Sequence, residues 1–314
     1  MDFRQVGNSG LRVSAVGLGC NNFGGRIGLE ATRRVVDRAI EQGITLFDTA
    51  DSYGNRGGSE ELLGETLGAR RKDIVLATKF GWAMDDDGVR KGGARRYVLE
   101  AVEASLRRLR TDWIDLYQFH LPDPLTPIDE TLRALDDLVR SGKVRYIGWS
   151  NMAAWQLADA MWVARDAGLE RFISVQAEYS LVERKAAAEL IPALRHFGVG
   201  LLPFFPLAGG MLTGKYAPDG DMPEGARLTN TPKMAERYMT KANWARVGRL
   251  DGFCKDRGRS LLDLAFAWLL AEPAVPSVIA GATRPEQIDA NVVAGDWVLS
   301  DAERAEVAAL LADD

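Results

Sequence analysis

Four side chains that could jointly deliver a proton follow three successive apolar runs of the sequence. Asp48 and Tyr53 lie in FDTADSY, Lys79 lies in ATKF, and His120 ends YQFH. A free tyrosine has a pKa of about 10, and a close ammonium stabilises its phenolate and lowers that pKa. Asp48 would keep Lys79 charged, and His120 would hydrogen-bond a substrate carbonyl. Tyr53 could then give its proton to the carbonyl oxygen as negative charge develops there.

Each of these residues also has an ordinary structural interpretation. Asp48 could begin a turn, Tyr53 could be a half-exposed aromatic residue, and a lone histidine is more often structural than catalytic. Lys79 lies within an apolar run, where a buried amine needs a partner. The catalytic hypothesis therefore depends on the four residues occurring together. Since none of these side chains can supply the electrons that reduce a carbonyl, a nicotinamide hydride donor is predicted.

Other site chemistries fit the sequence poorly. Asp48, Asp51 and His120 could be metal ligands, but the chain has only two histidines and metal-dependent hydrolases usually need several ligands of this kind. No G-x-S-x-G motif occurs, and neither cysteine has an evident histidine partner. Residues 17–19 read GLG after a predicted strand, but Asn22 stands where the dinucleotide fingerprint needs glycine. We predict neither a metal site nor a Rossmann fold.

The elements that must position these residues alternate regularly along the chain. Eight short apolar runs are each followed by a stretch with apolar residues at three- and four-residue spacing, as in 35–40. This alternation is compatible with two architectures, an open doubly wound α/β sheet and a closed (β/α)₈ barrel. Eight strands without a linker or a composition break favour a single TIM-barrel domain over residues 1–314. The carboxyl ends of barrel strands meet at one mouth, which would bring Asp48, Lys79 and His120 together.

Composition and one long loop add to this prediction. Segment 205–240, after the seventh strand, is rich in glycine, proline and polar residues, and so long a loop is usually functional. The formal net charge of -5 argues against nucleic acid or an anionic membrane as partner. The two cysteines fit a reducing compartment, and the N-terminus lacks the pattern of a signal peptide. We therefore predict a cytoplasmic protein.

The motifs of the chain resemble those of the aldo-keto reductase superfamily over almost its whole length. The matching segments, in order, are FDTADSYG, ATKFG, LYQFH, IGWSN, QAEYS, PLAGGMLTGKY and GATRPEQIDAN. The resemblance implies a (β/α)₈ barrel that binds NADPH across its mouth and reduces aldehydes or ketones without a metal. It places the catalytic tetrad at Asp48, Tyr53, Lys79 and His120. The GATRxxxQ ending resembles bacterial reductases and potassium-channel β subunits more than aldose reductases.

The resemblance also implies a set of cofactor contacts. Ser150, Asn151 and Gln176 would hold the nicotinamide carboxamide, and Tyr179 would stack on the nicotinamide face. The other implied cofactor residues are Gly19, Phe205, Pro206, Leu207, Gly209, Gly210, Lys215, Gly281, Thr283, Arg284, Gln287 and Asn291. Those from Pro206 to Lys215 resemble the pyrophosphate-binding loop, and those from Gly281 onward resemble the adenosine end.

Several positions depart from the pattern of the superfamily. Phe205 replaces a common serine whose hydroxyl meets the pyrophosphate. Gly281 and Gln287 replace the lysine and arginine of the aldose reductase branch, which weakens the case for strict NADP selectivity. Arg284 and the Thr283 hydroxyl could still grip a 2'-phosphate, so a preference for NADPH is predicted.

The substrate is predicted only by class. Trp82 and Phe23 favour a partly aromatic pocket for an apolar or aromatic carbonyl compound. A sugar or polyol dehydrogenase that uses the same site oxidatively is one alternative. A redox-sensing NADPH-binding subunit with weak turnover is another, but His120 argues against it, since the channel β subunits that resemble this family carry asparagine there.

Overall fold

The computed structural model describes residues 1–218 and 220–312. Within these residues the chain forms ten strands, numbered in chain order. They are β1 (Phe3–Gln5), β2 (Arg12–Ser14), β3 (Val16–Gly19), β4 (Leu46–Asp48), β5 (Val75–Phe80), β6 (Ile114–Phe119), β7 (Val144–Ser150), β8 (Ser174–Glu178), β9 (Gly200–Phe204) and β10 (Val278–Gly281). The last eight of them pair in parallel in the order β10-β3-β4-β5-β6-β7-β8-β9. The nearly closed sheet confirms the predicted (β/α)₈ barrel.

Helices cover the outside of this barrel. They are α1 (Leu29–Glu41), α2 (Tyr53–Leu67), α3 (Arg95–Leu109), α4 (Ile128–Arg140), α5 (Ala154–Ala167), α6 (Leu190–Phe197), α7 (Pro232–Tyr238), α8 (Lys241–Lys255), α9 (Leu261–Leu270), α10 (Pro285–Ala294) and α11 (Asp301–Ala312). In α4, for example, Leu132, Leu135 and Leu138 are buried at three-residue spacing, which gives one apolar face toward the strands. Along the described ranges, no helix combines the length and apolar character that crossing a bilayer requires.

An N-terminal hairpin closes one end of the barrel. Strands β1 and β2 pair antiparallel, and Val6, Leu11 and Val13 of this hairpin are buried. They share one apolar cluster with inward residues of the barrel, including Leu46 and Ala77. The apolar filling therefore occupies the amino end of the strands, and the opposite end is left for polar side chains.

The strand register carries those polar side chains to the open end. Side chains alternate between the two faces of a strand, so Lys79 points inward two residues after Ala77. Lys79 pairs with Gln118 across the β5–β6 ladder, and Asp48 pairs with Ala77 across the β4–β5 ladder. The inward layer just above the apolar filling is thus ionic and amide in character.

The predicted loop after the seventh barrel strand is more structured than expected. Segment 205–240 contains a 3₁₀ segment at Ala208–Thr213 and the short helix α7. The composition of glycine, proline and polar residues predicts turns but does not reveal these short helices. Two further 3₁₀ segments, Gly68–Asp73 and Lys185–Ala187, lie outside this region.

Candidate active site

A buried ion pair lies at the centre of the mouth. The Lys79 Nζ donates to Asp48 Oδ2 at 2.6 Å and to the Thr49 carbonyl oxygen at 2.8 Å. The same Nζ lies 3.4 Å from the Tyr53 hydroxyl, and Lys79 has no solvent exposure. Burial alone lowers the pKa of the Lys79 ammonium, but Asp48 and Tyr53 more than offset it, and the pKa is raised. The amine is therefore charged and aimed at the phenol.

Two amides hold the other carboxylate oxygen of the ion pair. Asp48 Oδ1 accepts from Gln118 Nε2 at 3.0 Å and from Gln176 Nε2 at 2.9 Å. With Lys79 on Oδ2, both oxygens of Asp48 are satisfied and its orientation is fixed. Gln118 was absent from the sequence prediction. Its sequence signal is a glutamine two residues before His120 in a predicted strand, which strand alternation places on the same face.

The Tyr53 ring lies between the ammonium and the imidazole. Its centroid is 4.9 Å from Lys79 Nζ and 5.8 Å from the His120 ring centroid, with the two rings nearly perpendicular. Burial raises the pKa of Tyr53, the nearby Lys79 lowers it, and the net direction is upward. The net lowering expected from the sequence is thus wrong, because that argument considered the ammonium and omitted desolvation. Tyr53 keeps its proton at neutral pH.

His120 is buried and neutral. Its backbone N–H donates to the Phe80 carbonyl oxygen at 2.8 Å, and its own carbonyl oxygen accepts from Asn151 Nδ2 at 3.0 Å. Burial, followed by the charge of Lys79, lowers the pKa of the imidazole to about 3. The ring therefore has one N–H to donate at neutral pH. Its Nδ1 has no hydrogen-bond partner in the described residues, and the Trp82 ring lies 5.5 Å away.

A single cavity of about 960 Å³ extends from these residues to the end of β10. Asp48, Tyr53, His120 and Trp82 line one end of it. Every residue that the resemblance assigns to the cofactor also lines it, with the exception of Tyr179. Residues that the sequence scatters between positions 19 and 291 thus share one wall.

Two predicted contact residues lie away from this cavity. Tyr179 is buried, and its ring packs against Trp268 at 4.8 Å between centroids. Phe23 has no exposed surface and belongs to the main apolar core. Neither side chain is available to a ligand in the cavity. Phe204, the last residue of β9, lines the cavity instead and was not predicted.

Positive charge is concentrated along the cavity wall. Arg26, Lys215, Arg227 and Arg284 all line it. In the described residues the first three have no carboxylate within 4.0 Å, and Arg284 reaches Glu286 only at 3.9 Å. Burial, and then repulsion from Arg26 and Arg284, lowers the pKa of Lys215. The sequence prediction omitted Arg26, in the loop after β3, and Arg227, in segment 205–240.

The backbone of segment 205–210 forms a tight cradle in the same wall. Positive φ angles occur at Phe205 (50°), Ala208 (47°), Gly209 (68°) and Gly210 (102°). A Cβ atom on Gly209 would lie 2.5 Å from Leu228 Cδ2, and one on Gly210 would lie 2.6 Å from Lys215 Nζ. Their positive φ angles and these close contacts both favour glycine. Concave backbone of this kind beside the Lys215 ammonium is suited to a phosphate group.

Comparison with known proteins identifies the family. The aldo/keto reductase family model matches residues 15–312. The chain belongs to the aldo/keto reductase family. This membership makes it an NAD(P)H-dependent oxidoreductase and confirms the resemblance seen in the motifs. In its described residues, no group of three or more histidine, cysteine, aspartate or glutamate side chains could hold a metal ion.

Relatives of this aldo/keto reductase carry different functional names. A probable voltage-gated potassium channel subunit beta of Oryza sativa subsp. japonica is 36% identical over 305 residues, covering 95% of this chain and 92% of the relative. L-glyceraldehyde 3-phosphate reductase of Escherichia coli (strain K12) is 35% identical over 329 aligned positions, covering 100% and 93%. The uncharacterized oxidoreductase YrpG of Bacillus subtilis (strain 168) is 37% identical over 298 residues, covering 92% and 89%.

Proposed function

We propose that this aldo/keto reductase uses NADPH to reduce an aldehyde or ketone to an alcohol, with Tyr53 as the proton donor. The observation that carries the proposal is the Tyr53 hydroxyl, 3.4 Å from a fully buried ammonium and at the edge of a cavity shared with His120. A protonated phenol beside a fixed positive charge is suited to protonating an oxygen that becomes negative.

The cavity residues fit a nicotinamide dinucleotide. The four cavity cations and the glycine cradle supply the positive charge and close backbone approach that its phosphates need. Bound NADPH would supply the hydride to the substrate carbonyl carbon. Gln176 donates one amide N–H to Asp48, and the side-chain carbonyl oxygen of Gln176 remains available to the carboxamide of the cofactor. The ring of Phe204, rather than that of Tyr179, is proposed to face the nicotinamide, because it lines the cavity.

The tetrad residues divide the proton chemistry among them. Neutral His120 donates its single N–H to the substrate carbonyl oxygen and so orients the carbonyl group. Tyr53 releases its proton to the same oxygen. Lys79 stays charged and stabilises the phenolate that remains, while Asp48 holds the amine in place through the 2.6 Å contact.

A preference for NADPH over NADH is proposed from the charge at the β10 end of the cavity. Arg284 and Lys215 lie close enough for their charges to repel each other, and Arg284 is largely exposed. Gln287 Oε1 accepts from the Thr283 N–H at 2.8 Å and from the Thr283 hydroxyl at 3.2 Å, which holds the turn that carries these residues. Equal hydride transfer from NADH and NADPH at the same concentration would contradict this preference.

The proton donor is tested with Tyr53→Phe. We expect carbonyl reduction, measured on a panel of aldehydes and ketones, to fall by roughly 10²–10⁴-fold, the usual contribution of a general acid. NADPH affinity, measured by quenching of tryptophan fluorescence, should persist because the ring is retained. Tyr146→Phe is the matched control, since Tyr146 lies outside the cavity lining and should leave the rate unchanged. Full activity in Tyr53→Phe would refute the assignment.

The similarity to a channel β subunit supports a second candidate, a redox-sensing NADPH-binding subunit with weak turnover. Strong NADPH binding with no turnover on the carbonyl panel, together with a stable protein partner, would favour it. The same site would also oxidise a sugar or polyol with NADP+ as the hydride acceptor, since the hydride step and each proton step are reversible. Comparing alcohol and aldehyde rates at two pH values separates that direction from reduction.

A further inference from the structure

The range given for α2 is not regular throughout, because Tyr53 is followed by one turn of left-handed helix. Gly54, Asn55 and Arg56 have φ of 65°, 62° and 66° and ψ of 47°, 52° and 58°, and Gly57 follows with φ of 125°. Side chains of L-residues crowd the backbone in this conformation, and successive non-glycine residues rarely adopt it. Such a segment persists only where its surroundings enforce it. We call residues 54–57 the left-handed turn.

Close packing enforces the left-handed turn from two sides. A Cβ atom on Gly54 would lie 2.6 Å from both the Phe23 carbonyl oxygen and the Ser59 backbone nitrogen. A Cβ atom on Gly57 would lie 2.6 Å from Arg108 Cδ. Arg108 is itself held by the fully buried carboxylate of Glu60, whose Oε2 accepts from Arg108 Nε at 2.7 Å. The turn is therefore clamped between the loop after β3 and helix α3.

The Tyr53 phenol depends on this backbone for its direction. Within the described residues its hydroxyl has one hydrogen-bond partner, Lys79 Nζ, at the long distance of 3.4 Å. One long bond holds the phenol weakly, so the position of its Cα and Cβ atoms decides whether it reaches both Lys79 and His120. Those atoms belong to the residue immediately before the left-handed turn.

We infer that the left-handed turn is a positioning device for the proton donor, and that Arg56 is a positioning residue through its backbone conformation rather than its side chain. The inference rests on the proposed function, since it assigns the turn to the step that Tyr53 performs. Asn55 and Arg56 are both exposed, and neither lines the cavity.

A matched pair of substitutions tests this inference. Arg56→Val places a β-branched residue at φ of 66°, and Arg110→Val places one at φ of 53° at the end of α3. Both arginines are exposed, and among the described residues each has one ion pair, which lies at the surface: Arg56 with Asp86 and Arg110 with Glu65. The two substitutions therefore impose similar backbone strain, but only one lies beside Tyr53. Arg56→Gly removes the same side chain while favouring positive φ.

We expect Arg56→Val to lower kcat at least about tenfold, with NADPH affinity within about twofold of the parent protein. Arg56→Gly and Arg110→Val should both keep kcat within about twofold. A second measurement does not depend on turnover. It uses the ¹³C-tyrosine NMR signal of Tyr53, which is assigned by its loss in Tyr53→Phe. In Arg56→Val alone, the chemical shift of this signal should change and the signal should titrate at higher pH.

Three results would overturn the inference. The first is an unchanged kcat and an unchanged Tyr53 signal in Arg56→Val. The second is an equal loss in Arg56→Gly, which would assign the effect to the side chain and its contact with Asp86. The third is an equal loss in Arg110→Val, which would assign it to global destabilisation. Absence of carbonyl turnover in the parent protein would refute the proposed function, and the NMR comparison would still decide the role of the turn.

Discussion

Replacing His120 by asparagine should remove a defined part of the acid sensitivity of this protein. The imidazole is 7% exposed, and its pKa falls from 6.5 to about 3 on folding. The folded state therefore keeps His120 neutral at pH values where the unfolded chain protonates it. A group whose pKa is depressed by folding contributes its full stability above the unfolded pKa. That contribution is lost as pH falls through 6.5 toward 3.

The size of this loss follows from proton linkage. At pH 7 a free imidazole with a pKa of about 6.5 is mostly neutral, so protonation stabilises the unfolded chain by only about 0.2 kcal/mol. At pH 5 the same stabilisation reaches about 2 kcal/mol, while the folded imidazole with its pKa of about 3 remains almost unprotonated. His120 should therefore account for a loss of about 2 kcal/mol in the free energy of unfolding between these pH values.

Urea unfolding of the parent protein and of His120→Asn at pH 7, 6 and 5 measures this contribution. Other groups titrate in both proteins, so the difference between the two unfolding free energies isolates His120. We expect the free energy of unfolding of the parent protein, relative to that of His120→Asn, to fall by about 2 kcal/mol between pH 7 and pH 5. Parallel stability curves would show that His120 titrates in the folded state as in water. They would also refute its assignment as a neutral hydrogen-bond donor.

Three further substitutions examine the ion pair beneath Tyr53. Lys79→Met should destabilise the fold by about 3–5 kcal/mol in urea, because it leaves the Asp48 carboxylate buried without its cation. The double variant Asp48→Asn with Lys79→Met should regain much of the lost stability but should show no turnover. Equal free energies of unfolding for Lys79→Met and the double variant would contradict this expectation. Gln118→Leu should lower kcat by roughly tenfold, because Asp48 Oδ1 loses one of its two amide donors. NADPH affinity should be unchanged, because Gln118 does not line the cavity; weaker binding with unaltered kcat would contradict the role given to this amide.

The barrel and the meeting of Asp48, Lys79 and His120 at its mouth were predictable because their signals are local and repeated. Each apolar run ends at its polar residue, and parallel strands carry their carboxyl ends to one mouth, so Asp48, Lys79 and His120 had to meet there. The apolar periodicity of α4 likewise fixed which face packs on the strands. Register and alternation then decide side-chain direction without further information.

Other parts of the site depend on contacts that no local pattern encodes. Tyr179 lies just past the end of β8, and its ring packs on Trp268 of α9, a contact set by tertiary packing alone. Phe23 turns into the core for the same reason. Arg26 meets the Gly225 carbonyl oxygen at 2.6 Å, nearly 200 residues away in sequence, so its place beside the cavity depends on how segment 205–240 folds back.

The opposing influences on the pKa of Tyr53 are compatible with its proposed role as an acid. If Lys79 alone decided its pKa, the phenol would be partly ionised before substrate arrived, and less of it could donate a proton. Burial instead keeps the proton on Tyr53 in the resting protein, because it disfavours the phenolate. The ammonium, held charged by Asp48, then stabilises negative charge on the phenol oxygen as the proton leaves. In the proposed mechanism this attraction is stronger in the transition state than in the resting protein, and a difference of that kind increases the rate.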